Sequence, residues 1–274
     1  MLKQRLITAA ILIPLVIAGI LYLPTSIFQW ILGGVTLLAA WEWFTIVGLK
    51  TNKQRVLAGV ALLLVMITAL ALDTSVTLIS AAIIWLFILM LIAKYKHTAL
   101  PEPLAAIIQS RTIGMVTAII ILTLFWVAAV ILHGSSDTGP KLLLYVMIIV
   151  WLADTGGYFA GKRWGRTALA RVISPNKTWE GVGGALLLGT LWAVVAYSFG
   201  LSGQMMLLSW VILSLIALLI SIVGDLFESL FKRSHGVKDS GNLLPGHGGM
   251  LDRIDSMIAA VPAFVAGLYF MGAL

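Results

Sequence analysis

Long apolar runs recur along the whole chain, near 6–23, 26–48, 56–72, 75–93, 113–133, 141–161, 182–200, 205–224 and 252–272. Each approaches the ~20 residues that an α-helix needs to cross the hydrocarbon core of a bilayer. In that medium every backbone N–H and C=O must be satisfied within the segment, so the pattern predicts about nine transmembrane helices. The first run follows Lys3 and Arg5, as a signal peptide would. No A-x-A-like cleavage site comes after it and the run is long enough to span, so it is read as a retained helix. Between the runs, polar residues come in clusters. The densest is 229–255, SLFKRSHGVKDSGNLLPGHGGMLDRID.

Composition strengthens this picture. Of 274 residues, 61% are hydrophobic and 11% charged, against roughly a quarter charged in a soluble domain. The fold class is therefore all-α, a polytopic helical membrane protein. There are no cysteines, which excludes disulfides, thiolate metal sites and cysteine nucleophiles. The net charge of +7 matters through its distribution. With the N-terminus in the cytoplasm, 17 of the 18 Lys and Arg fall on the inner side, leaving only Lys141 outside. Cytoplasmic loops carry such an excess of basic residues, so an N-terminus inside and a C-terminus on the opposite side are expected.

The two halves differ. Residues 1–112 hold four spans with few intramembrane charges, Glu42 within WEWF being the exception, and are expected to supply lipid or dimer contacts. Pro101 and Pro103 then break any long helix in AKYKHTALPEPLAAIIQSRT, whose AAII run is expected on the bilayer surface. Residues 113–274 hold five spans and nearly all the polar clusters, so the catalytic region is expected there. No internal repeat is visible, which argues against a transporter built from inverted repeats.

Asp154, in ADTGGYFAG, lies near the inner end of the sixth span. An acid at that depth costs up to ~3 kcal/mol on insertion scales and usually faces a cavity or a partner; pairing with Lys162 or Arg163 would also account for it. Gly156, Gly157 and Gly161 would let another helix or a ligand approach closely. In ISPNKTWEG, Ser174 and Pro175 read as an N-cap followed by proline at the first helical position. Lys177 would then sit in the first turn, where the helix dipole disfavours a cation unless an anion is bound. Asp225 reads as the end of the eighth span, again against the dipole, with Glu228 on its face and either Arg233 or a metal as counter-cation. Asp252 and Asp255 stand three apart where the ninth span begins, and capping would explain either one singly. Three acids converging on one membrane side suggest a hard divalent ion, Mg2+ or Mn2+ rather than zinc. Gly246, Gly248 and Gly249 around His247 could expose consecutive N–H groups as an anion nest; a lone histidine is more often structural than a base.

Assembled, the 229–255 segment resembles the signature of the phosphatidate cytidylyltransferases, the CDP-diacylglycerol synthases: S-x-x-K-R-x4-K-D-x-G-x2-L-P-x-H-G-G-x-x-D-R-x-D. It is met by Ser229, Lys232, Arg233, Lys238, Asp239, Gly241, Leu244, Pro245, His247, Gly248, Gly249, Asp252, Arg253 and Asp255. The ADTGGYFAG, SPNKTWEG and GDLFES segments are also similar to that family's. The resemblance implies transfer of the cytidylyl group of CTP to phosphatidate, giving CDP-diacylglycerol and pyrophosphate in phospholipid biosynthesis, with Mg2+ required. It further implies a homodimer in a bacterial inner membrane, an active site at the cytoplasmic face and no nucleic-acid partner. Phosphatidate's phosphate is already nearly dianionic at neutral pH, its second pKa being about 6. Bringing two polyanions together is then the difficulty, and cations rather than a base must solve it.

On this reading Asp225 and Asp252 hold the metal with Asp255 beside them, and a second, monovalent cation is left open. Asp225, Asp252, Asp255, Lys238 and Arg253 form the catalytic set. Lys177, Ser174, Asn176, Lys232, Arg233, His247, Gly248, Gly249, Asp154 and Asp239 contact or orient the substrates. A CDP-alcohol phosphotransferase is disfavoured because its D-G-x2-A-R-x8-G-x3-D-x3-D spacing is absent, and two further alternatives stand beside it. A CTP-dependent lipid kinase would release CDP instead of pyrophosphate. A cation-coupled transporter would place its acids at the midplane, whereas these cluster at one face.

Overall fold

The computed structural model describes residues 2–241, 243 and 248–274. Leu244, Pro245 and His247 of the signature lie outside them. The elements run α1 (Leu2–Tyr22), α2 (Thr25–Ile46), α3 (Asn52–Ala69), α4 (Thr74–Tyr95), α5 (Glu102–Gln109), α6 (Arg111–Gly134), α7 (Gly139–Trp164), β1 (Ala168–Ala170), β2 (Ser174–Thr178), α8 (Trp179–Ser198), α9 (Leu207–Ser234), α10 (Leu251–Ile254) and α11 (Met257–Phe270). The class is all-α apart from one two-stranded hairpin. Among the described residues, eight rods, with α10 and α11 taken as one, are long and apolar enough to cross a membrane, and α1 is a further apolar helix.

Burial separates the helices by position. On α6, every residue from Ile121 to Val130 is buried, as befits a helix that is apolar all round and stands at the centre of a bundle. It packs against α2, α3, α4, α7 and α11, so one continuous core joins the two halves of the chain. Elsewhere large apolar side chains point outward, among them Ile83, Phe87 and Met90 on α4 and Leu187 and Leu191 on α8. Such a surface suits acyl chains and would not suit water.

The tightest crossing is that of α7 with α8, and glycine makes it possible. A Cβ on Gly156 would lie 2.5 Å from the Gly184 carbonyl oxygen, and one on Gly184 would lie 2.4 Å from the Ala160 Cβ. The glycines of ADTGGYFAG thus serve helix approach, one of the two uses their spacing suggests. Just beyond, the local structure departs from expectation. Ser174 and Pro175 do not open a helix: Ser174–Thr178 is an extended strand paired antiparallel with Ala168–Ala170. The cap of α8 is Thr178, whose hydroxyl oxygen accepts the Gly181 N–H at 3.1 Å. It is packed against the end of α7, where a Cβ on the capping Gly165 would lie 2.9 Å from its methyl. Glu180 holds the hairpin by accepting the Thr167 N–H at 3.2 Å.

The segments between spans gather at two ends. At one end, the Val172 N–H donates to the Lys96 carbonyl at 3.3 Å, and the Lys96 ammonium lies 4.9 Å from the Trp179 ring centre. The α2–α3 turn, the stretch after α4, the β-hairpin and the segment after α9 all meet there. At the other end, His133 of α6 hydrogen-bonds the Thr25 hydroxyl and the Ile20 carbonyl oxygen, each at 2.9 Å, and stacks on Phe28.

Candidate functional site

The end that gathers the basic segments also collects the acids. Helix α9 runs on to Ser234, so Asp225 does not end its span but lies well inside it. The dipole argument for a missing cation therefore fails at Asp225. Its ion-pair partner is Lys177, carried in from β2, rather than Arg233. The hairpin thus delivers Lys177 sideways to α9, where a first-turn helical lysine was expected. The Ser229 hydroxyl, one turn on, donates to Asp225 Oδ1 at 3.3 Å.

Gly224 brings the last span to the same place. A Cβ there would lie 2.6 Å from the Asp255 carbonyl oxygen and 2.8 Å from the Ala259 Cβ, so only glycine lets the α10–α11 junction lie against α9. Asp255 stands at that junction, its Oδ1 accepting the Ser256 N–H at 2.6 Å, and is close enough to Asp225, Glu228 and Lys177 to feel their charge. Asp154 on α7 is exposed, without a hydrogen bond or ion pair among the described residues, and within electrostatic reach of Asp225, Lys177 and Arg253. Lys162 instead reaches the Tyr158 hydroxyl at 3.4 Å. Four elements therefore converge: α7, β2, α9 and the α10–α11 junction.

A second cluster adjoins the first and is buried. Lys232 lies 2.6 Å from Glu228 Oε2 and 2.7 Å from Asp252 Oδ1. Glu228 is 1% exposed and makes no well-aligned hydrogen bond among the described residues, the Lys232 ammonium being its ion-pair partner. Asp252 is fully engaged by the protein. It accepts the Ser240 N–H at 3.2 Å, the Gly249 N–H at 3.0 Å and the Lys232 ammonium. Of the expected anion nest, Gly246 and His247 lie outside the described residues, and the Gly249 N–H is taken up within the protein. Gly249 donates to Asp252, while the Met250 and Leu251 N–H groups donate to Glu42 of α2 at 3.0 and 2.9 Å. Gly248, at φ +80, adopts a backbone conformation that favours glycine.

Among the described residues, no group of three or more acids or histidines is arranged to hold a metal. Asp225 and Asp255 fit such an ion best, being neighbouring carboxylates from different elements with a cation, Lys177, already between the helices. Asp252 fits poorly as arranged, because protein donors occupy both its oxygens. Arg233, Lys238, Asp239 and Arg253 are exposed around the clusters, as are Pro175 and Asn176 on the hairpin. Lys232, expected at a substrate phosphate, is instead buried. His235 closes α9 through its Nδ1 and the Phe231 carbonyl oxygen, 2.9 Å apart. Sequence reasoning assigned no site role to Glu42 or Ser240; an acid in the middle of WEWF was the one available signal.

A lipid-facing helical bundle with a charged site at one end defines an integral membrane protein. The chain belongs to the cytidylyltransferase family, whose profile matches residues 3–271, and as such it is an enzyme, a nucleotidyltransferase. A phosphatidate cytidylyltransferase of Pseudomonas aeruginosa is 40% identical over 275 residues, spanning 99% of this chain and 98% of that protein. One of Haemophilus influenzae is 37% identical over 294 positions, spanning 99% and 100%. Another, of Staphylococcus haemolyticus, is 44% identical over 133 residues, about half of each chain.

Proposed function

We propose that this enzyme transfers the cytidylyl group of CTP to phosphatidate at the cytoplasmic face of a bacterial inner membrane. The observation that carries the reading is the meeting of Lys177, Asp225, Asp255, Asp154 and Arg253 from four elements at one end of the bundle. Full-length similarity to proteins named for this activity supports it. An oxygen of the lipid phosphomonoester attacks the α-phosphorus of CTP. The bond from that phosphorus to the oxygen bridging toward the β-phosphorus breaks, and pyrophosphate departs with its electron pair. The attacking phosphate is nearly dianionic near neutral pH, its second pKa being about 6, so no side chain need remove a proton. Catalysis is then a matter of alignment and of compensating negative charge.

Lys177 leaves Asp225 to meet a substrate phosphate or stays to orient that carboxylate. Arg253, Lys238 and Arg233 are exposed around the clusters and available to the triphosphate and the lipid headgroup. A divalent ion, Mg2+ or Mn2+, would be held by Asp225 and Asp255 and would supply positive charge to the phosphates. Assembly as a homodimer belongs to the same reading.

The test is Asp225→Asn, assayed in detergent with CTP and phosphatidate for CDP-diacylglycerol and pyrophosphate together. A fall of about 100-fold or more is expected, the scale of losing one preorganised electrostatic group. Near-normal turnover would remove Asp225 from the mechanism. Release of CDP instead of pyrophosphate from the unaltered protein would turn the reading toward a lipid kinase.

A further inference from the structure

Glu42 is 7% exposed, lies on α2 far in sequence from the signature, and has no lysine or arginine partner among the described residues. Its carboxylate is instead saturated by the signature's own backbone and by one serine. Oε1 accepts the Met250 N–H at 3.0 Å; Oε2 accepts the Leu251 N–H at 2.9 Å and the Ser240 hydroxyl at 2.8 Å. Ser240 in turn donates its N–H to Asp252, and Asp252 receives Lys232 from α9. Two glycines shape the pocket around this carboxylate. A Cβ on Gly249 would fall 2.3 Å from Glu42 Oε2, and one on Gly241 would fall 2.6 Å from Oε1. Both glycines therefore have a steric requirement, set at Gly241 by Glu42 and at Gly249 by Glu42 together with the still closer Ser240 hydroxyl.

We infer that Glu42 is a positioning residue for the reaction: it clamps residues 249–251 to α2, and so fixes the short α10 that presents Asp252, Arg253 and Asp255 to the site. This rests on the cytidylyltransferase reading above. A carboxylate is the right group because all three of its partners donate to it. An amide offers only one accepting oxygen and would turn its own N–H groups toward a backbone N–H. Misplacing reacting groups by about 1 Å can cost ~100-fold in rate, so a clamp of this kind acts on turnover without touching substrate.

The experiment compares Glu42→Gln and Ser240→Ala with the unaltered full chain in detergent. Three quantities are read: kcat with CTP and phosphatidate, the thermal unfolding midpoint, and amide hydrogen exchange of peptides covering 249–255. Glu42→Gln is expected to lower kcat by about 10- to 100-fold, change KM for CTP by less than about 3-fold, and accelerate exchange in 249–255 while other regions keep their protection. Ser240→Ala should move kcat and exchange the same way by a smaller factor. Unchanged kcat in both variants, with or without faster exchange, would overturn the proposal. If Glu42→Gln fails to fold, Ser240→Ala decides alone: a shift in both readouts supports the clamp, and no shift in either overturns it. An unaltered protein that releases no pyrophosphate would sink the functional reading, while the exchange data would still test whether Glu42 holds 249–251.

Discussion

Lys177 and Lys232 both sit among carboxylates, yet burial separates what they can do. The Lys177 side chain is 26% exposed and pairs with an acid about equally exposed, so a substrate phosphate can compete for it. Lys232 is enclosed between Glu228 and Asp252, and moving it would leave buried negative charge uncompensated. Breaking such a pair by removing one partner typically costs ~3–5 kcal/mol. Lys232→Met should therefore lower the thermal unfolding midpoint clearly, and adding Glu228→Gln should recover part of that loss, because it removes the one of the two stranded acids that lacks backbone donors. A double variant no more stable than the single one would show that Lys232 acts elsewhere. Residue types in the signature were legible from sequence, but this division of labour was not. Glu42 is the sharpest case: its partners are two backbone N–H groups and a serine some 200 positions away, and backbone donors leave no mark in a sequence.

Helices and the hairpin differ in how far the sequence announced them. Apolar runs near membrane length admit one backbone solution in lipid, so the rods of the bundle were predictable from hydropathy. The hairpin was not, since Ser174-Pro175 satisfies the local rules for a helix start while tertiary pairing with Ala168–Ala170 determines the outcome. The correction matters because β2, not a helix, carries Lys177 to α9. Helix α8 allows a controlled test of close packing. Gly183 and Gly184 are adjacent; a Cβ on Gly183 meets nothing within 4 Å, whereas one on Gly184 meets α7 at 2.4 Å. Gly183→Ala should be neutral or slightly stabilising, since alanine is the better helix former. Gly184→Ala should cost about 1–3 kcal/mol through overpacking, read as a lower unfolding midpoint in detergent. Equal effects at both positions would show that α7 and α8 do not cross as described.

At the scale of the whole molecule, most of the basic residues are drawn to one end of the bundle, while Asp73, Asp137 and Lys141 belong to the other. The segments that the basic residues mark for the cytoplasm are physically together: Gly48 lies beside Arg111, Lys96 beside Trp179 and Val172, and Lys177 beside Asp225. The Thr25–His133 contact lies at the opposite end with the segments that carry almost no basic charge. Hydropathy and charge bias predicted this division, because each depends on the membrane rather than on particular contacts. Sidedness itself can be read directly, for the chain has no cysteine and any introduced thiol reports alone. Ser136→Cys and Gln204→Cys sit on exposed turns at the end of the Thr25–His133 contact; Lys53→Cys and Arg171→Cys are exposed at the other. A membrane-impermeant maleimide should label the first pair in sealed right-side-out vesicles and the second only in inverted ones. CTP is confined to the cytoplasm, so a site on the other side would have no nucleotide to use. The reverse labelling pattern would accordingly refute both the orientation and the proposed reaction together.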